Sequence, residues 1–137
     1  MRARTEPGST VLGGQRILAV EDDFLVLLEI ATVLSSAGAE VVKCTTLEQA
    51  FQAIDTVPIA AAVLDVRLGS NTIAPVARRL TESGTPFLFY TGQVPSAETI
   101  AQWPNVRVVS KPTLAPMLVN AVAELLRSSA EPSARGQ

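Results

Sequence analysis

Five times along this chain a short apolar run is followed by a stretch with helical periodicity, and that alternation limits the fold more than any other feature. The runs are RILAV (16–20), EVVKC (40–44), IAAAVLDV (59–66), PFLFYT (86–91) and VRVVS (106–110). Three- and four-residue spacing of apolar positions predicts helices over 24–37, 47–54, 72–84, 96–103 and 113–127. The predicted inward faces are Phe24, Leu27, Leu28, Ala31 and Leu34; then Leu47, Ala50, Phe51 and Ile54; then Val76, Ala77 and Leu80. In the last helix they are Leu114, Met117, Leu118, Ala121, Val122 and Leu125. Thr46 and Ser96 stand where N-caps are wanted, and Gly38 and Gly84 where helices stop. Runs that are apolar without alternation need cover on both faces, and crossover helices between them make neighbouring strands parallel. The expected fold is therefore α/β: a doubly wound parallel sheet built from five βα units, with 59–66 near its centre.

At 137 residues the chain fits one domain with a core large enough to stand without staples. The expected organisation is a flexible N-terminal arm over 1–14, one domain over 15–128 and a flexible tail over 129–137. A single cysteine, Cys44, excludes an internal disulfide and suits a reducing compartment, so a cytoplasmic location is expected. No run approaches the roughly 18–20 apolar residues that span a bilayer, and the first fifteen residues lack the apolar stretch of a secretory signal. A net charge of −2 gives no footing for nucleic acid. Histidine is absent, which excludes His–Ser and His–Cys catalytic pairs, His-ligated zinc and a phosphohistidine on this chain.

The polar residues that interrupt the pattern fall at the ends of the apolar runs. The first ends in Glu21-Asp22-Asp23, the third in Asp65, the fourth in Thr91-Gly92 and the fifth in Ser110-Lys111-Pro112. In such sheets ligands bind at the carboxyl ends of the strands. Close like charges at a protein surface repel by about 4 kcal/mol per pair, so the acids call for a cation among them. Asp22 and Asp65 offer hard oxygen ligands that suit Mg²⁺, which takes one or two carboxylates and keeps several waters. Lys111 is a point charge for a phosphate oxygen, Thr91 a hydroxyl donor, and Gly92 leaves room for a phosphoryl group. Asp65 then reads as the nucleophile of an aspartyl-phosphate chemistry, while Asp23 caps the following helix.

In this order, ILAVEDD, AAVLDVRLGS, FLFYTG and VVSKP resemble the receiver domain of two-component response regulators over about residues 15–128. The resemblance implies a flavodoxin-like strand order 2-1-3-4-5. It implies that Asp65 accepts a phosphoryl group from a histidine kinase or histidine phosphotransfer protein. Mg²⁺, or Mn²⁺ in its place, would sit between Asp22, Asp65 and the backbone carbonyl of Arg67, with Glu21 acting through water. Thr91 and Lys111 would bond the phosphate, and Arg67, Gly92 and Gln93 would tune its hydrolysis. Leu25, Val26, Ile30 and Val33 lie outside the inward face of the first helix and read as a contact patch. The resemblance implies that this patch docks the donor; deeper burial or a homodimer contact is the other reading. Signalling would run by contact with a downstream protein, because no output domain follows residue 128 and a stand-alone receiver is expected. Two departures stand out: Val108 occupies a strand position that is often aromatic in receivers, and the segment between Thr91 and Lys111 is short. Two other classes fit less well. A haloacid-dehalogenase-type phosphatase needs Asp-x-Asp, and here Arg67 stands two residues after Asp65; a receiver-like module without phosphorylation usually lacks one of the acids or the lysine.

Overall fold

The computed structural model of this protein describes residues 11–129; the predicted tail beyond 129 and the first ten residues of the predicted arm lie outside the described residues. Five strands, β1 (Arg16–Val20), β2 (Glu40–Cys44), β3 (Ala61–Leu64), β6 (Phe87–Thr91) and β7 (Val108–Ser110), form one sheet in the order β2-β1-β3-β6-β7. Every pairing in it is parallel. Counting only these five, the order is 2-1-3-4-5, as expected, and β3 is central. Helices α1 (Phe24–Ser36), α2 (Leu47–Thr56), α3 (Ala74–Glu82), α4 (Ala97–Gln102) and α5 (Ala115–Ser129) cover the two faces. One feature is additional: β4 (Arg67–Leu68) and β5 (Asn71–Thr72) make a small antiparallel hairpin between β3 and α3. Four strand residues are too few for a period to register in a sequence.

The strands alternate sides, as a pleated backbone must. Ile17, Ala19, Ala61, Val63, Leu88 and Tyr90 enter the core under α1 and α5. Leu18, Val20, Ala62, Leu64, Phe87 and Phe89 enter the core under α2 and α3. Thr46 caps α2 by accepting from the Gln49 amide, and Ser96 caps α4 in the same way from Thr99. Cys44 is a core residue, and burial pushes its thiol up to about 11. Residues 11–14 form a turn whose Leu12 is buried, with its amide donating to the Ala37 carbonyl, so the body of the fold takes in part of the predicted arm.

Two helix faces differ from the periodicity reading. In α1 the buried residues are Leu27, Ile30, Ala31 and Leu34, while Phe24 and Leu28 of the predicted inward set are exposed. Ile30, expected on the outer patch, is 3% exposed, and Val26 and Val33 pack partly buried against the same core. Of that patch Leu25 alone stays well exposed, at 73%. A helix that is apolar nearly all round gives the sequence no sharp phase, and the packing of β1 and α5 decides it. In α5, Leu118, Ala121 and Val122 are buried as predicted, but Leu114 and Met117 are exposed. The helix begins only at Ala115, so Leu114 precedes it and the first turn stands clear of the sheet.

Candidate functional site

The parallel ladder itself brings the distant polar residues together. Glu21 donates its amide to the Cys44 carbonyl (3.0 Å), Asp65 to Val20 (3.0 Å) and Lys111 to Thr91 (2.9 Å). Each strand therefore ends level with its neighbour, and the first residues beyond the ladder project from one edge. There a cavity of about 560 Å³ is lined by Glu21, Asp22, Asp23, Val26, Asp65, Arg67, Gly69, Thr91, Gly92, Gln93 and Lys111. Glu21, Asp65 and Thr91 are the buried polar residues among those described, and all three lie in it.

Carboxylate oxygens of Glu21, Asp22 and Asp65 lie within 4.8 Å of one another. Lys111 reaches into this set. Its ammonium is 3.0 Å from Asp65 Oδ2 and also donates to Glu21 Oε1. Three carboxylates against one ammonium leave two negative charges unmatched. Burial pushes the Glu21 carboxyl up to about 7, with the nearby Asp65 charge acting in the same direction and the Lys111 hydrogen bond opposing it. Burial also works against the charge of Lys111, but its hydrogen bonds to Glu21 and Asp65 outweigh that and the pKa is raised. Such a donor set fits a hard divalent cation: all oxygen, excess negative charge, partly open to water. The Lys111–Pro112 peptide is cis.

The hairpin contributes backbone to the same place. Ile73 donates to the Val66 carbonyl at 2.9 Å, which makes Val66/Ile73 a bonded pair of the antiparallel ladder. Because bonded and non-bonded pairs alternate, Arg67/Thr72 is a non-bonded pair, and the Arg67 amide and carbonyl both face away from β5. That amide approaches Asp65 Oδ1 at 3.4 Å. Asp22 is exposed, but its Oδ2 accepts from the Gly69 amide at 2.8 Å. Asp23 accepts from the Leu25 and Val26 amides and caps α1, as expected. The Thr91 hydroxyl oxygen accepts from the Gln93 amide at 3.3 Å, which leaves its proton to donate into the cavity.

Of the predicted set, Glu21, Asp22, Asp65, Arg67, Thr91, Gly92, Gln93 and Lys111 share this one cavity. Of the predicted contact patch, Val26 lines that same cavity, while Leu25, Ile30 and Val33 line a second cavity of about 700 Å³ between α1 and α5, together with Leu28, Tyr90, Pro112 and Leu118. Sequence reasoning missed two contacts. Gly69 is one, although the glycine of RLGS, four residues after Asp65, marks a turn. Tyr90 is the other: its ring centroid is 5.9 Å from the Lys111 ammonium, between the two cavities.

No protein-family model matches the chain, and no curated protein does. Solved structures do. A CheY-like response regulator receiver domain protein from Methanospirillum hungatei superposes with a TM-score of 0.77 at 21% identity, over 85% of this chain and 97% of that one. The signal receiver domain of an HD domain-containing protein from Pseudomonas fluorescens gives 0.77 at 20% identity, over 86% and 98%. A response regulator receiver protein from Sinorhizobium medicae gives 0.71 at 25% identity, over 86% and 98%. With its five-stranded parallel sheet and its polar residues gathered at one edge, the chain has the fold of response-regulator receiver domains.

Proposed function

We propose that this protein is a phosphoacceptor receiver: Asp65 takes a phosphoryl group from a phosphohistidine on a partner kinase or phosphotransfer protein. The observation that carries the reading is the contact of Lys111 with Asp65 inside a cluster of three carboxylates at the strand ends. Asp22, Asp65 and the Arg67 carbonyl would hold Mg²⁺ or Mn²⁺, with Glu21 bonding through water. When bound, the cation neutralises phosphoryl oxygens as charge gathers on them.

The chain's own groups supply the rest. A carboxylate oxygen of Asp65 attacks phosphorus, an O–P bond forms, the N–P bond breaks, and the electron pair leaves with the imidazole. Lys111 pairs with Asp65 before the reaction and turns its charge to a phosphoryl oxygen after it. Thr91 donates its hydroxyl to another. Arg67, Gly92 and Gln93 flank the product and set how readily water reaches it. The half-open groove between α1 and α5 adjoins the site, and Leu25, Leu28 and Val33 on its α1 wall would take the donor's apolar surface. A downstream protein would read the phosphorylated state by contact. The cytoplasm is the proposed location, a reducing compartment that suits a chain whose single cysteine is free.

Incubation with Mg²⁺ and radiolabelled acetyl phosphate tests the reading. Near-stoichiometric label on the wild type and none on Asp65→Asn is expected. Turnover without accumulation would instead mean a phosphatase, and no reaction a receiver-like binding module; either overturns the proposal.

A further inference from the structure

The hairpin beyond β3 bonds two acids from different strands with backbone amides alone. Arg67 N–H approaches Asp65 Oδ1, and Gly69 N–H donates to Asp22 Oδ2 across 47 residues of sequence. Asp22 is the exposed acid of the three, with carboxylate oxygens of Asp65 and Glu21 within 4.8 Å of its own. An exposed aspartate so placed would turn outward into water unless something held it. Among the described residues, the donor that its carboxylate meets is the Gly69 amide. That amide is itself held. Leu68 and Ile73 are buried on either side of the turn, and the Ile73–Val66 bond closes the hairpin's base. Gly69 has φ +62°, in the left-handed region, and that conformation aims its amide. A Cβ there would lie 4.0 Å from Asp22 Oδ2, an ordinary contact, so space does not demand glycine; the backbone conformation does.

We infer that Gly69 is a positioning residue: the left-handed turn of the β4–β5 hairpin holds Asp22 in place for the divalent cation and so sets its affinity. The inference rests on the metal-site reading above. A carboxylate has lone pairs to spare, so Asp22 can keep this bond while its other oxygen meets an ion. The hairpin thus acts on the affinity for the cation and leaves the groups that contact phosphorus unchanged.

The test compares wild type, Gly69→Ala and Gly69→Asn, because asparagine tolerates the left-handed conformation and alanine does not. Mg²⁺ affinity is measured by calorimetric titration, and labelling by acetyl phosphate is followed against Mg²⁺ concentration. Gly69→Ala should bind Mg²⁺ about 5- to 10-fold more weakly but reach the wild-type labelling rate at saturating Mg²⁺, and Gly69→Asn should stay within about twofold of wild type. Amide exchange gives a readout that needs no glycine variant. Gly69 should be protected in wild type and lose protection in Asp22→Ala, while Ile73 stays protected in both. Equal Mg²⁺ affinity in Gly69→Ala and wild type, or an unprotected Gly69 amide in wild type, overturns this inference and leaves the phosphoacceptor reading standing. Wild type that takes up no Mg²⁺ overturns both.

Discussion

Glu21 shows what the site costs when no cation is bound. Its carboxyl is held up to about 7, against 4.5 for an ordinary glutamate, because burial disfavours its charge. The folded chain therefore binds a proton here that the unfolded chain has already lost, over the window from about pH 4.5 to about 7. In that window the native state holds more protons, so stability falls as pH rises and the group's contribution is largest at the acidic end. Metal-free protein should thus resist urea better near pH 5.5 than near pH 7.5 on account of this residue, and Glu21→Gln should flatten that part of the profile. Urea midpoints across the range, wild type against variant, check it; equal slopes would refute the assignment. The identities of the site residues were legible in the sequence because each follows an apolar run and parallel strands end level. The pairing of Glu21 with Lys111 was not legible. It depends on a side chain just beyond β7 reaching past Asp65, with β3 and β6 lying between β7 and β1 in the sheet.

Among the elements, α1 carries the largest disagreement between pattern and packing. Its start is well specified: Asp23 accepts two amides, and a cap of this kind contributes about 1 kcal/mol. Asp23→Ala should lower unfolding free energy by about that amount, read from denaturant midpoints. The Asp23 amide also donates to Glu21 Oε2, but a side-chain truncation leaves that bond in place. What the sequence could not specify was the rotation of α1. Apolar residues at 24–28, 30, 31, 33 and 34 cover most of its circumference, so burial of Ile30 and exposure of Phe24 follow from the neighbouring β1, β2 and α5. The β4–β5 hairpin is the opposite case. Its turn residues were visible, but the two ladder pairs that make it a hairpin leave no periodic trace, and with them went the amide to Asp22.

Across the whole molecule, burial is uneven. The sheet between β2 and β6 has packed cores on both sides, whereas α4 has six residues with none buried and β7 has three, of which Val108 is 41% exposed. Few buried contacts mean a low free energy of local opening. Amides over 97–110 should exchange with solvent well before those of β1 and β3, and native-state hydrogen exchange resolved by residue decides it. The sequence signalled this thin end through the short segment between Thr91 and Lys111, where Pro95 and Pro104 flank the predicted fourth helix. The same region contains the chain's only tryptophan. Trp103 stands edge-on to Phe87 and Phe89 at 6.3 Å from each ring centre, and its indole nitrogen donates to the Thr81 hydroxyl at 3.1 Å. The protein thereby carries a built-in, unlabelled fluorophore where the end of α4 meets the sheet, set apart from the carboxylate cluster. Emission intensity and colour could follow the loosening of that corner in real time, with no dye attached and no second indole to confuse the signal.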